Sequence, residues 1–316
     1  MSPVITVALP VFALILAGWV AGRGGILGPA SSEALNKFVY WFALPALLFG
    51  AMARTPIGEI VRLDFIGTFL IGTFAVMALS GVLGKLIHRT TVPQATLQGM
   101  NAGFSNTGYM GIPLFAAAFG ATGLAAASLA TVLVSSVVIG VIVLILELTG
   151  DREGPPGVRL AGAMAALAVN PLVVVPLAGV AWSVFALPIP EPVARFLDLL
   201  GAAASPCALF AIGLFLANQK LRANLAEVGW ISVMKLVWHP LITWALIVLV
   251  FPMEPFWEMA AIMLAALPTG ALTFVVAQRY GIYVERSSGV IFVSTIISVI
   301  TLSLLLAIYS PQFGVG

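Results

Sequence analysis

Two long apolar stretches, about half the chain apart, are each broken near their middle by Gly, Pro and amide or hydroxyl residues. The first reads Asn106-Thr107-Gly108-Tyr109-Met110-Gly111-Ile112-Pro113, and the second Leu267-Pro268-Thr269-Gly270-Ala271-Leu272-Thr273. A bilayer tolerates unwound backbone only where protein or a cavity satisfies the freed N–H and C=O groups. Paired discontinuous helices in corresponding halves of a membrane chain point to the binding site of a transporter.

The membrane premise comes from composition. Of 316 residues, 61% are apolar and 8% charged, with mean hydropathy +1.13. Soluble domains run near a quarter charged, so a soluble fold of this size has too few charges to cover its surface. The apolar runs are continuous over roughly 20 residues and do not alternate with period two, which favours helices over a β-barrel. The expected class is an all-α polytopic membrane protein. The one cysteine, Cys207, excludes an intrachain disulfide. The stretch Met1 to Ala21 lacks a basic start and reads as a retained first span, not a signal peptide.

Apolar runs between charged or Pro/Gly punctuation predict ten spans: 3–22, 34–53, 64–87, 94–119, 122–148, 159–184, 193–217, 226–251, 256–279 and 287–309. The longest polar connection, Thr149 to Val158, divides them into residues 1–150 (spans 1–5) and 151–316 (spans 6–10). Span 2 carries Phe42-Ala43-Leu44-Pro45 and span 7 carries Ala204-Ser205-Pro206-Cys207, while spans 4 and 9 both break. An odd number of spans per half gives the halves opposite topology, so two inverted five-helix repeats are expected. Lys and Arg placement sets the orientation. Ten of them (Arg23, Lys37, Lys85, Arg89, Arg152, Arg159, Lys220, Arg222, Arg279 and Arg286) follow the odd spans, against Arg54, Arg62 and Arg195 on the other face. This places the odd loops in the cytoplasm and both termini outside.

A helix broken at mid-bilayer exposes N–H groups worth roughly half a positive charge at the start of its second half. Such a site attracts a carboxylate without a formal charge in the membrane. Asn106 supplies an amide donor and acceptor. Gly108 and Gly111 permit close backbone approach, and Pro113 removes a donor and forces the break. A kinked helix that Asn106 merely caps is the plainer alternative. In the second motif Pro268 and Gly270 mark the break. Thr269 and Thr273 either ligate a substrate or cation or bond their own backbone.

Lys235 lies about 15 Å deep at the helical rise, where an ammonium must pair or reach water. It either offsets an anionic substrate or bonds the freed carbonyls of the crossover; the second fits better, because no neighbouring carboxylate is evident. His239, one turn on, reads as a satisfied structural histidine that can also titrate. Glu147, Asp198 and Glu258 fall near span ends, where exposure makes them cheap. Trp19, Tyr40, Trp41, Trp257 and Tyr280 sit where interfacial anchors belong. No Walker, HExxH or Cys/His metal pattern is present, so no metal or cofactor is expected, and neither is an enzyme.

The crossover residues carry a resemblance. Asn106-Thr107 with Met110-Gly111-Ile112-Pro113-Leu114 resembles the span-4 signature of the auxin efflux carrier family, which includes PIN-type plant carriers and bacterial malonate-permease-like proteins. Ala265-Ala266-Leu267-Pro268, Gly270, Phe274-Val275 and Ser288-Gly289-Val290-Ile291-Phe292 are similar to it as well, as are Phe42-Ala43-Leu44-Pro45 and Gly213-Leu214-Phe215. The resemblance implies a fold like that of sodium/proton antiporters and bile-acid symporters. Spans 1, 2, 6 and 7 would form a scaffold that dimerises, and spans 3–5 and 8–10 a core moving like an elevator. It implies an organic anion held at the crossover by Asn106, and a bacterial inner membrane. Lys235 matches a basic position before the span-8 Pro of plant carriers. The chain differs from them in its short central loop, in Leu48 where they place a serine, and in lacking their acidic residue in span 3.

A secondary carrier of an organic anion, such as a small carboxylate or an auxin-like acid, is therefore the expected function. Its partners would be that anion, the lipid bilayer and a second copy of the chain, with no nucleic acid. A sodium-coupled symporter and a membrane ligand sensor that does not transport are the alternatives; sodium or proton coupling is left open.

Overall fold

The computed structural model describes residues 9–60, 62–149, 157, 161–162, 165, 168–217 and 225–309. The first residues of span 1, most of the central polar connection with Arg152, the start of span 6 with Arg159, and Lys220 and Arg222 lie outside the described residues.

The described residues are helical apart from turns and one isolated bridge. In chain order the helices are α1 (Leu9–Arg23), α2 (Pro29–Arg54), α3 (Leu63–His88), α4 (Val92–Gly103), α5 (Thr107–Thr149) and α6 (Pro171–Val184). They continue with α7 (Glu191–Ala217), α8 (Leu225–Leu249), α9 (Pro255–Ala265), α10 (Leu272–Tyr280) and α11 (Val284–Tyr309). Six of them, α2, α3, α5, α7, α8 and α11, are long and apolar enough to cross a membrane.

Lengths explain the remaining pieces. At 43 residues, α5 would rise about 65 Å if straight, roughly twice the hydrocarbon thickness. It is bent at Gly120, whose φ of 61° and ψ of −139° suit a residue without a Cβ. By contrast α4, α9 and α10, with 12, 11 and 9 residues, rise only about 13–18 Å, near half a bilayer each. A capping box at Thr91 and Gln94 starts α4.

Three helices widen to a π turn ending two residues before a proline: Val39–Ala43 before Pro45, Thr107–Gly111 before Pro113, and Met234–Trp238 before Pro240. Proline has no N–H, and its ring clashes with the carbonyl four residues back. The preceding amides of Leu44, Ile112 and His239 bond instead to Val39, Thr107 and Met234, five residues back. The helix continues through each proline.

Packing is tight where small residues meet backbone. A Cβ on Gly213 would stand 2.0 Å from the Ile15 carbonyl oxygen, so α7 and α1 approach at a distance only glycine allows. Trp257 is buried, contrary to the interfacial placement expected from its position. Its ring meets Phe65 edge-on at 5.1 Å, and the Arg62 guanidinium lies 5.2 Å over it. Glu147 is also buried and not exposed at a span end, accepting from the Tyr280 hydroxyl at 2.8 Å. Buried Glu227 accepts from Tyr283 and pairs with Arg286 at 2.6 Å. These two carboxylates flank the α10–α11 turn, where protein donors replace the water that span ends normally offer.

Candidate functional site

The two interruptions meet. Ser105 and Thr269 form an antiparallel bridge; Asn106 N donates to Pro268 O at 2.9 Å and Gly270 N to Phe104 O at 2.9 Å. The backbone groups freed by unwinding one helix are thus satisfied by those freed from the other. Pro268 sits inside its break. Pro113 does not make the first break, as its sequence position suggested. The chain unwinds at Phe104–Asn106, and Pro113 lies in the helix beyond, where the π turn accommodates it.

Beyond the bridge, α5 and α10 each begin near the crossing. The amides of Gly108, Tyr109, Ala271 and Leu272 have no carbonyl partner among the described residues, as expected for helix first turns. Both dipole-positive ends therefore meet near one region. Gly111 and Gly270 are where the two strands of backbone close on each other. A Cβ would stand 2.8 Å from Leu267 Cδ1 at the first and 2.8 Å from Phe104 Cδ1 at the second. At Gly108 it would meet Thr131 Cγ2 at 3.5 Å and Leu44 Cδ1 at 3.9 Å, both ordinary contacts.

The threonines spend their hydroxyls on backbone. Thr269 Oγ1 donates to Asn101 O at 2.7 Å and Thr273 Oγ1 to Gly270 O at 2.9 Å, both fully buried. Thr269 N in turn donates to Ser294 Oγ at 3.1 Å. Thr273 thus bonds backbone in its own turn, while Thr269 bonds backbone of the other broken stretch. Thr107 is buried, and its hydroxyl has no partner among the described residues.

Lys235 lies in the π turn of α8 and is fully buried. Its Nζ donates to Ala265 O at 2.5 Å and Ser105 Oγ at 2.9 Å, and lies 3.1 Å from His239 Nδ1. Three polar atoms thus stand around the amine, one for each position a lysine Nζ can fill. Ala265 ends α9, so the amine satisfies a carbonyl at the dipole-negative end of one broken helix and grips the break of the other. His239 Nε2 lies 3.3 Å from Thr73 Oγ1. The imidazole thus links the Lys235 amine on one side to the Thr73 hydroxyl on the other.

Beside the crossing is a cavity of about 770 Å³. Asn106 and Tyr109 line its buried end, with Ala271 and Leu272 of the α10 start; Glu33, Lys37 and Gln278 line its exposed end. Lys37 pairs with Glu33 at 2.7 Å. Asn106 precedes the helix at the N-cap position, yet its side chain makes no capping bond. Its amide has no partner among the described residues and faces the cavity at 4% residue exposure. Sequence reasoning missed Tyr109 and Ser105 as site residues, although both stand within or beside the first motif. It missed Thr73 and read Tyr40 as an interfacial anchor, because only the fold brings them here.

The membrane transport protein family matches residues 3–156 and 158–306 of the chain. The "Putative malonate transporter" of Rhizobium meliloti (strain 1021) is 36% identical over 97% of this chain and 96% of its own length. An "Uncharacterized transporter" of Methanothermobacter thermautotrophicus is 27% identical over 94% and 95%. In fold, the chain is similar to the sodium proton antiporter MjNhaP1 from Methanocaldococcus jannaschii, with TM-score 0.56, 15% identity and coverage of 95% of this chain and 90% of that one. These relatives are transporters, not enzymes, and the resemblance to auxin efflux carriers is borne out.

Proposed function

The chain belongs to the membrane transport protein family, and from that premise we propose that it is a secondary carrier of an organic anion, with its site at the crossing of the two broken helices. The observation that carries this reading is the Asn106 amide. It belongs to a buried residue, has no partner among the described residues, and faces a large cavity beside two helix N-termini. An uncommitted amide donor with two dipole-positive ends is a binding site for a carboxylate. The malonate named for the Rhizobium relative is the first substrate to test.

The ten-span, inverted-repeat topology belongs to the same proposal. It is supported by the bend at Gly120, which divides α5, and by the half-bilayer lengths of α4, α9 and α10. On this reading α1, α2, α6 and α7 are the scaffold of a homodimer and the other helices the moving core. The cavity opens at the end bearing Lys37 and Gln278, which the distribution of basic residues assigns to the cytoplasm of a bacterial inner membrane. Gly108, Gly111 and Gly270 shape the crossing, Thr269 and Thr273 hold its backbone, Thr107 stands buried beside them, and Lys235 with His239 braces it from behind.

The experiment is uptake of labelled malonate into proteoliposomes, with and without a sodium gradient, for wild type and Asn106→Ala. Saturable uptake that the variant loses is the expected result. Equal uptake by both would remove Asn106 from the site, and flux only with sodium would make the carrier a symporter.

A further inference from the structure

Two tyrosines line the cavity, Tyr40 from α2 and Tyr109 from α5. They differ in what their hydroxyls do. Tyr40 donates its proton to Asn170 Oδ1 at 3.0 Å, the oxygen that also caps α6 by accepting from Leu172 N at 2.9 Å. Tyr109 is 8% exposed, and its hydroxyl has no partner among the described residues. A phenylalanine would fill the same volume without presenting an unpaired hydroxyl to the cavity. Tyr109 stands three residues from Asn106, a spacing that brings side chains to one face of a helix, and both line the cavity.

We propose that Tyr109 is a second substrate ligand. Its hydroxyl and the Asn106 amide each donate to one oxygen of the bound carboxylate, so the pair selects an anion with two adjacent acceptors. The apolar remainder of the substrate lies against Phe215 and Phe274, whose rings meet edge-on at 5.3 Å on the cavity wall. A helix N-terminus attracts any small anion; two side-chain donors at a fixed spacing discriminate by shape. This assignment rests on the carrier reading.

The test is Tyr109→Phe in proteoliposomes with labelled malonate, propionate and phenylacetate, scored on whichever of these the wild type accumulates. Removing a hydrogen bond to a charged group should raise KM by about tenfold or more, with maximal rate held within about twofold. Tyr280→Phe, which deletes a hydroxyl bonded to Glu147 outside the cavity, should leave KM unchanged. A wild-type KM in Tyr109→Phe overturns the assignment, as does a lost maximal rate at constant KM. If the variant does not fold, nitration of wild-type Tyr109 by tetranitromethane decides: saturating substrate should protect it and not Tyr283, and unprotected Tyr109 rejects the ligand role. Accumulation of none of the three acids by wild type defeats the carrier reading itself, and Tyr109 with it.

Discussion

Lys235 Nζ lies 2.5 Å from the carbonyl oxygen of Ala265, the last residue of α9. A buried amine is therefore spent on the end of a broken helix, with Ser105 of the other break and His239 as its remaining partners. No carboxylate takes part in these bonds, which makes the amine a cross-brace between neutral groups.

Replacing Lys235 with Met should keep the volume and strip the brace. It leaves the Ala265 carbonyl unbonded in a dry site, at a cost of about 1–3 kcal/mol. Thermal unfolding in detergent should show a lowered midpoint, with uptake reduced as well. A wild-type midpoint would mean that the crossing stands without the ammonium.

His239 Nδ1 lies 3.1 Å from Lys235 Nζ, so the replacement that matters is one that removes this polar contact. His239→Leu should destabilise the fold by about 1–3 kcal/mol, while His239→Gln, which retains an acceptor, should recover much of that loss. Equal losses in the two variants would assign the histidine to packing alone.

The π turn at Thr107–Gly111 follows from Pro113. Pro113→Ala supplies the missing N–H and removes the ring clash, so the turn should tighten to α geometry and rotate Asn106 and Tyr109 away from the cavity. Malonate KM should rise while the midpoint of unfolding stays level or increases. Unchanged KM would show that the turn is held by the crossing and not by the proline.

Glycines at the crossing should rank by the room around them. At Gly270 an added methyl meets the Phe104 ring at 2.8–2.9 Å and the Ser105 carbonyl oxygen at 3.3 Å, so Gly270→Ala should cost about 1–3 kcal/mol by overpacking. At Gly108 the nearest atom is 3.5 Å away, and Gly108→Ala should leave the unfolding midpoint level or raised. The reverse ranking would contradict the geometry.

Tyr283, in the turn between α10 and α11, has its phenol pushed up from the ordinary value by burial first, then by the hydrogen bond and charge of Glu227. A raised folded value means that the native state keeps this proton where the unfolded chain has lost it. The contribution is complete below about pH 10 and fades as pH climbs toward the folded value. Alkaline unfolding followed by circular dichroism should therefore be shallower in Tyr283→Phe. Parallel curves for the two proteins would detach Tyr283 from alkaline stability.

The helical membrane class, the apolar segments and the presence of two breaks were legible in the sequence, because hydropathy and helix breaking are properties of a residue and its near neighbours. The fold supplied what local pattern does not carry. Lys235 and Ser105 are 130 positions apart and bond directly; Tyr40 and Asn170 are equally distant in sequence and settle which cavity tyrosine keeps a free proton. Pro113 read as a breaker, yet it is absorbed by a π turn, while the break falls at Phe104–Asn106, where Pro268 O and Gly270 N of the other stretch supply hydrogen-bond partners. Trp257 and Glu147 read as span-end residues and are buried by helices that are remote in the chain. In a medium without water, each polar group must find a protein partner, and only the tertiary structure decides which partner that is.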